Sequence, residues 1–90
     1  MHLKITKAVK KACDKFDAKQ YRQVVSAILG LLDNREPHDS QQLRGGKHGE
    51  RRVDVGEYRV IYAVTSDVVE ILVVGSRNDD AVYRQWERQK

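Results

Sequence analysis

The apolar residues of this 90-residue chain change their spacing once, and this change constrains the fold more than any other feature. Between residues 21 and 32 they recur at helical spacing, which predicts an amphipathic helix, and a similar stripe between 9 and 16 predicts another just before it. Asp17 is placed to cap the second helix. Between 51 and 65 apolar and polar residues alternate, which predicts β-strands. The order predicts an α+β fold in which an N-terminal helix hairpin packs on one face of a small antiparallel sheet.

Gly56 and Glu57 interrupt the alternating segment and predict a tight hairpin. Glycine at the first of two central turn residues is typical of a type II′ turn. That turn predicts a register in which Asp54 lies opposite Arg59 and Arg52 lies beside them on the same face. The face predicted to pack on the helices carries Val53, Val55, Tyr58, Val60, Tyr62 and Val64. Arg52, Asp54 and Arg59 then lie on the other face, which the helix hairpin leaves bare.

The nearly continuous apolar run 68–74 predicts a third strand, buried on both faces, and an amphipathic segment with Tyr83 and Trp86 follows it. If this strand pairs with its predecessor, Arg77 at its end lies beside Arg52 and Arg59. Three guanidinium groups on one surface can bind phosphate, because each offers planar bidentate donors. The alternative interpretation is a weak cross-strand ion pair between Asp54 and Arg59, surrounded by solvated arginines.

Charge and composition restrict the class of protein further. Seventeen Lys and Arg against 13 Asp and Glu give a net charge of +4, which favours a polyanionic partner such as RNA or an acidic protein. A single cysteine excludes an internal disulfide and a cysteine-built zinc site. The absence of a long apolar run excludes a membrane-spanning helix, and no N-terminal targeting segment is recognisable, so we expect a cytoplasmic protein with no membrane partner. Residues 1–90 are expected to form one domain.

Three stretches together resemble one known family. Residues 43–46 read Leu-Arg-Gly-Gly, residues 51–62 read Arg-Arg-Val-Asp-Val-Gly-Glu-Tyr-Arg-Val-Ile-Tyr, and residues 73–83 contain Gly-Ser-Arg with a tyrosine six positions after the arginine. These motifs resemble the RelE/ParE superfamily of toxins from bacterial type II toxin–antitoxin systems. With the helix pair upstream, the resemblance covers nearly the whole chain.

The resemblance implies the order β-α-α-β-β-β with a C-terminal helical segment, and a concave basic face opposite the helix hairpin. In the RelE branch this face cleaves messenger RNA on the ribosome, without metal or cofactor, by attack of the RNA 2′-hydroxyl on the adjacent phosphate. Arg59 and Arg77 match the phosphate-stabilising arginines of the family. Arg52 matches the first of two basic strand positions, and Tyr83 matches the tyrosine that orients the 2′-hydroxyl or stacks on a base.

Asp54 departs from the family pattern, since RelE-type enzymes have a second basic residue there. Two interpretations stay open: Asp54 acts as a base, or it neutralises Arg59 and weakens the nuclease. Further basic residues are candidates for contacts with RNA, namely Arg44, Lys47, His48 and Arg51.

The resemblance leaves the target open as well. The leading hypothesis is a ribosome-dependent endoribonuclease. The second is a ParE-like toxin that binds and inhibits DNA gyrase, and the third is a catalytically weak relative that acts through antitoxin binding. In each case the resemblance implies an acidic antitoxin as partner, and assembly of the pair into larger complexes.

Overall fold

The computed structural model describes residues 2–78 and 80–89, so that Asp79, part of the last motif, lies outside the described residues. The elements follow the predicted order with one addition, the short strand β2. They are β1 (His2–Ile5), α1 (Lys7–Cys13), α2 (Ala18–Asp33), β2 (Gln41–Gln42), β3 (Arg51–Val55), β4 (Tyr58–Thr65), β5 (Val68–Ser76) and α3 (Ala81–Gln89). The predicted α+β fold is confirmed. None of the helices in the described part of the chain is long and apolar enough to cross a membrane.

The strands form one sheet in the order β1-β5-β4-β3-β2. The pairs β2–β3, β3–β4 and β4–β5 are antiparallel, but β1 runs parallel to β5. The sheet is therefore mixed: the predicted antiparallel pairing holds for β2, β3, β4 and β5 but not for β1. β1 is joined to the other strands only through α1 and α2, which pack on one face of the sheet, so no hairpin turn requires it to run antiparallel to β5.

The predicted hairpin register is confirmed. Val53 pairs with Val60, Asp54 with Arg59 and Val55 with Tyr58. Gly56 has a φ of +58°, and no described non-glycine residue has a positive φ. A positive φ at the first central residue alone fits the predicted type II′ turn.

The helix hairpin packs on one face of the sheet and forms the larger core. Asp17 caps α2 as predicted, accepting a hydrogen bond from the Gln20 amide at 2.8 Å. Tyr21, predicted to belong to the buried stripe, is 46% exposed. The buried residues of this core are Val9, Cys13, Val24, Ile28, Leu31, Val53, Val60, Tyr62, Val69, Ile71 and Val74.

Helix α3 packs on the opposite face of the sheet, the one that the helix hairpin leaves bare. Its Val82 and Trp86 form a second core with Leu43, Ile61 and Val73. The close approach of the helix depends on Gly75, since a Cβ there would lie only 2.8 Å from a methyl group of Val82. The helix hairpin leaves this face bare, as predicted, but α3 covers part of it, and the polar residues near the hairpin turn lie beside that helix.

Candidate functional site

Arg59 is the centre of a polar cluster on the face that α3 partly covers. The hairpin register places Asp54 on β3 directly opposite Arg59 on β4. Arg59 Nε donates to Asp54 Oδ1 at 2.7 Å and Arg59 Nη2 donates to Oδ2 at 3.1 Å. This bidentate geometry is the strongest arrangement of an arginine and a carboxylate, and it fixes the plane of the guanidinium group.

Tyr83 holds the same guanidinium group from α3. Its hydroxyl oxygen accepts a hydrogen bond from Arg59 Nη1 at 2.7 Å, and the guanidinium carbon lies 5.5 Å from the centre of the tyrosine ring. The three hydrogen bonds to Asp54 and Tyr83 use three of the five N–H groups of an arginine. Among the residues that the structure describes, the other two N–H groups of Arg59 have no hydrogen-bond partner and are left for an anion.

The pKa values of the pair follow from this contact. The hydrogen bonds from Arg59 lower the pKa of Asp54; burial opposes them, while the positive charges of Arg59, Arg52 and Arg77 add to the lowering. The hydrogen bond to Asp54 raises the pKa of Arg59 in turn. Asp54 is therefore an ionised, weakly basic carboxylate near neutral pH. A good general base has a pKa closer to the working pH.

Arg52 extends the cluster toward the edge of the sheet. Its Nη2 donates to Gln41 Oε1 at 2.5 Å, and its Nη1 lies 4.0 Å from Asp54 Oδ1. Gln41 is on β2 and pairs with Arg52 across the strands. Sequence reasoning missed Gln41, because a strand of two polar residues carries no periodic signal.

Arg77 lies just beyond the end of β5, next to the hairpin turn. Its backbone amide donates to the Glu57 carbonyl at 3.0 Å, while its side chain is exposed. Its charge contributes to the lowered pKa of Asp54. Three guanidinium groups and one carboxylate give the cluster of Arg52, Asp54, Arg59 and Arg77 a net charge of +2. The structure brings together the five residues predicted as catalytic, since Tyr83 contacts the same cluster.

The predicted RNA-binding residues are divided between the two faces. Arg44, Lys47 and His48 are exposed in the loop between β2 and β3. Arg51 instead faces the side of the helix hairpin, where its guanidinium contacts Ser40 and lies 3.3 Å from a Glu36 carboxylate oxygen. The alternation of side chains along β3 explains this separation, because neighbouring residues of a strand point to opposite faces.

A cleft of about 380 Å³ lies next to the arginine cluster, between β2 and α3. It brings Arg44 of the loop to the same surface as Arg52 and Tyr83. The cleft is lined by Gln41, Gln42, Leu43, Arg44, Arg52, Tyr83, Trp86 and Glu87. An aromatic ring, basic groups and side-chain amides are the groups that bind single-stranded nucleic acid.

A second carboxylate that the sequence did not reveal lies under α3. Glu50 is 3% exposed, and its two oxygens accept hydrogen bonds from the His48 amide at 2.7 Å and from Trp86 Nε1 at 3.3 Å. Burial alone would raise the pKa of Glu50, but these hydrogen bonds and one from its own amide lower it overall. Within residues 2–78 and 80–89, no group of three His, Cys, Asp or Glu side chains is placed to hold a metal ion.

Comparison with known proteins agrees with this architecture. The family described as the ParE toxin of the type II toxin–antitoxin system parDE matches residues 3–81. The match spans most of the chain, and the protein therefore belongs to this toxin family, within the RelE/ParE superfamily. No curated protein sequence matches the chain significantly.

Solved structures of RelE toxins are among those similar to this chain. The archaeal RelE–RelB complex from Pyrococcus horikoshii is 30% identical over 84% of this chain and 93% of that one, with a TM-score of 0.76. The isolated Escherichia coli RelE toxin has a TM-score of 0.72 at 20% identity, covering 98% of this chain and 96% of that one. The RelBE2 complex from Mycobacterium tuberculosis has a TM-score of 0.70 at 23% identity, covering 84% and 96%. These last two likenesses concern the fold, which is RelE-like.

Proposed function

We propose that this toxin is a ribosome-dependent endoribonuclease that cleaves messenger RNA by attack of an RNA 2′-hydroxyl on the adjacent phosphate. The observation that carries the proposal is the clamp on Arg59. Asp54 and Tyr83 fix its guanidinium from two elements and leave two N–H donors for a phosphate. Arg52 and Arg77 add positive charge on either side.

In this mechanism the protein supplies positioning and electrostatic stabilisation. The 2′-hydroxyl loses its proton to solvent and its oxygen bonds to phosphorus as the bond to the 5′-oxygen breaks. The leaving 5′-oxygen takes up a proton from solvent, so the products are a 2′,3′-cyclic phosphate and a 5′-hydroxyl. Arg59 and the exposed Arg77 stabilise the extra negative charge on the phosphate oxygens in the transition state. Tyr83 orients the 2′-hydroxyl or stacks on the neighbouring base.

The contacts of Asp54 favour one of the two interpretations left open by the sequence. A carboxylate whose pKa is lowered by two hydrogen bonds from Arg59 is a poor proton acceptor at neutral pH. Asp54 therefore serves to hold Arg59 and to reduce the positive charge of the site. We infer a nuclease whose affinity for RNA is moderated by its own carboxylate.

RNA would reach the cluster along the cleft between β2 and α3. Arg44, Lys47 and His48 lie on the loop that borders this cleft and would contact backbone phosphates of messenger or ribosomal RNA, in the cytoplasm. Arg51 is left out of this set, because it faces the helix hairpin and is bound to Ser40.

The test is cleavage of a defined messenger RNA on purified ribosomes, with 5′ ends mapped by primer extension. Arg59→Ala and Arg77→Ala are each expected to lower the cleavage rate by roughly 100-fold, the order found when one oriented donor to a transition-state charge is removed. Arg22→Ala, an exposed arginine on α2, is the matched control. Full activity of both site variants would refute the mechanism.

A second candidate function is inhibition of DNA gyrase, and two observations favour it. The first is that the matching family is described as the ParE toxin of the parDE system. The second is that Asp54 pairs with Arg59 and cancels part of the positive charge that an RNA site requires. Induced expression separates the candidates. Cleavage within codons, seen by ribosome footprinting, supports the nuclease, whereas double-strand DNA breaks with intact messenger RNA support gyrase inhibition.

We also propose an acidic antitoxin as partner, since the RelE relatives from Pyrococcus horikoshii and Mycobacterium tuberculosis are in complexes with antitoxins. An apolar groove of about 370 Å³ lies between β1, α1 and α2. Ile5, Tyr21 and Leu29 are exposed there, and Lys7 and Lys10 are among its lining residues. An acidic amphipathic segment fits this combination of apolar and basic groups.

The antitoxin proposal is tested with the product of the neighbouring reading frame. Leu29→Asp places a charge in the groove and is expected to abolish co-purification of that product without changing RNA cleavage. Ser26→Asp, on an exposed position of the same helix, is the control. If Leu29→Asp still captures that product undiminished, the partner binds outside this groove. Light scattering of the toxin with its partner measures whether the pair forms larger complexes.

A further inference from the structure

Glu50 is a buried carboxylate that the proposed mechanism does not use. It lies immediately before β3, and its side chain connects two separate parts of the molecule. One oxygen accepts from the His48 amide in the loop and the other accepts from the Trp86 indole of α3. The Glu50 carbonyl also accepts from the Leu43 amide at 2.9 Å, which closes the loop between β2 and β3.

The surroundings of Glu50 are fitted to a carboxylate. At Gly46 a Cβ would lie 3.0 Å from Glu50 Oε1, so the loop packs directly against the acidic group. Each oxygen faces an N–H donor, and a charged acceptor strengthens both bonds. Leaving a buried carboxylate unpaired is unfavourable, so the fold accommodates Glu50 only while both of its hydrogen bonds are made.

We propose that Glu50 is the positioning residue of the site. Through Trp86 it fixes α3 so that Tyr83 contacts Arg59. Through His48 it fixes the loop between β2 and β3, which carries the basic residues Arg44 and Lys47. The expected effect of Glu50 on RNA cleavage rests on the proposed nuclease function. Trp86 and Tyr83 are three residues apart on α3 and therefore lie on one side of the helix. Loss of the Trp86 contact moves the tyrosine relative to the guanidinium.

The informative variant is Glu50→Gln. An amide offers one acceptor oxygen and one NH₂ group, so it can accept from only one of the two N–H donors that Glu50 satisfies. Trp86→Phe is the second variant, since it keeps an aromatic ring in the core and removes the indole donor. Glu57→Gln, an exposed carboxylate in the hairpin turn, is the matched control.

The first measurement does not depend on any activity. Trp86 is the only tryptophan of the chain, so its indole N–H signal in a ¹H–¹⁵N spectrum and the tryptophan fluorescence report on the surroundings of this one side chain. Glu50→Gln is expected to shift the indole signal upfield and to shift the emission maximum to longer wavelength. It is also expected to move the Arg59 Nε–H signal in the direction that Tyr83→Phe moves it. Unchanged indole and Arg59 signals would overturn the proposal.

The second measurement is RNA cleavage on ribosomes. Glu50→Gln and Trp86→Phe are expected to lower the rate by about 10- to 100-fold, as misplacement of a catalytic group does. In the Tyr83→Phe background Glu50→Gln should add little, because its effect passes through Tyr83. If the losses of cleavage rate from Glu50→Gln and Tyr83→Phe are additive, Glu50 does not act through Tyr83. If the wild-type protein cleaves no RNA, the proposed function fails, while the indole and Arg59 signals still decide the role of Glu50.

Discussion

Substitution of Asp54 by asparagine tests the central feature of the site. The change removes the carboxylate that accepts from Arg59 Nε and Nη2 and raises the net charge of the cluster from +2 to +3. The side chain keeps its size and one acceptor oxygen. Arg59 therefore stays near its position but is more available to a phosphate.

The two roles considered for Asp54 predict opposite results. If Asp54 restrains Arg59, RNA binds more tightly, and one added phosphate contact makes the slope of log K against log salt steeper by about 0.7. Cleavage is then kept or increased. If Asp54 is a general base, the rate falls by about 10²- to 10⁴-fold with binding little changed. The partly exposed pair contributes about 1 kcal/mol to folding, so the variant remains folded.

The assay is fluorescence anisotropy of a labelled RNA at four potassium chloride concentrations, followed by single-turnover cleavage on ribosomes. Asp33→Asn is the control, because it makes the same charge change at the end of α2, on the layer away from the site. A slope that stays the same in Asp54→Asn, together with a large loss of rate, would refute the restraining role. A steeper slope in both variants would show a general charge effect.

Three further predictions concern stability and reactivity. Gly75→Ala should lower the free energy of unfolding by about 1–3 kcal/mol through its contact with Val82, and Val82→Ala should relieve part of that loss in urea titrations followed by tryptophan fluorescence. The pKa values of Asp54 and Glu50 are lowered, so the stability that these carboxylates contribute is complete above their ordinary pKa values of 3.8 and 4.5 and is lost as pH falls through the lowered values. Between pH 7 and pH 3 the urea midpoint should therefore fall less in Asp54→Asn than in the wild-type protein. An equal fall in both proteins would contradict this contribution of Asp54. Burial, with a smaller effect of Asp14, raises the pKa of the Cys13 thiol, so iodoacetamide should modify it slowly in the folded protein and quickly in urea, and rapid modification of the folded protein would show that this part of α1 is open.

The hairpin and the helix pair could be predicted from the sequence because their signals are local. Gly56 specifies the turn, the turn fixes the register, and the register alone places Asp54 against Arg59. Asp17 likewise identifies the start of α2 within a few residues.

The features that were missed depend on contacts between distant parts of the chain. The side of the sheet on which α3 packs is decided by Gly75 and Val82, which no periodicity reveals. Arg51 is a different case, because the alternation of side chains along β3 already places it on the face opposite Arg52, where it contacts Ser40. Glu50 reads as an ordinary polar loop residue until Trp86 is seen to donate to it, 36 residues further along the chain.

The parallel pairing of β1 with β5 has a consequence for how the chain folds. Thr6, at the end of the first strand, donates through its hydroxyl to the carbonyl of Leu72, and the two residues are 66 positions apart. Closing so long a loop is slow, because its entropy is lost before the contacts at its ends are gained. During synthesis β1 therefore stays unpaired until β5, and with it most of the protein, has been made.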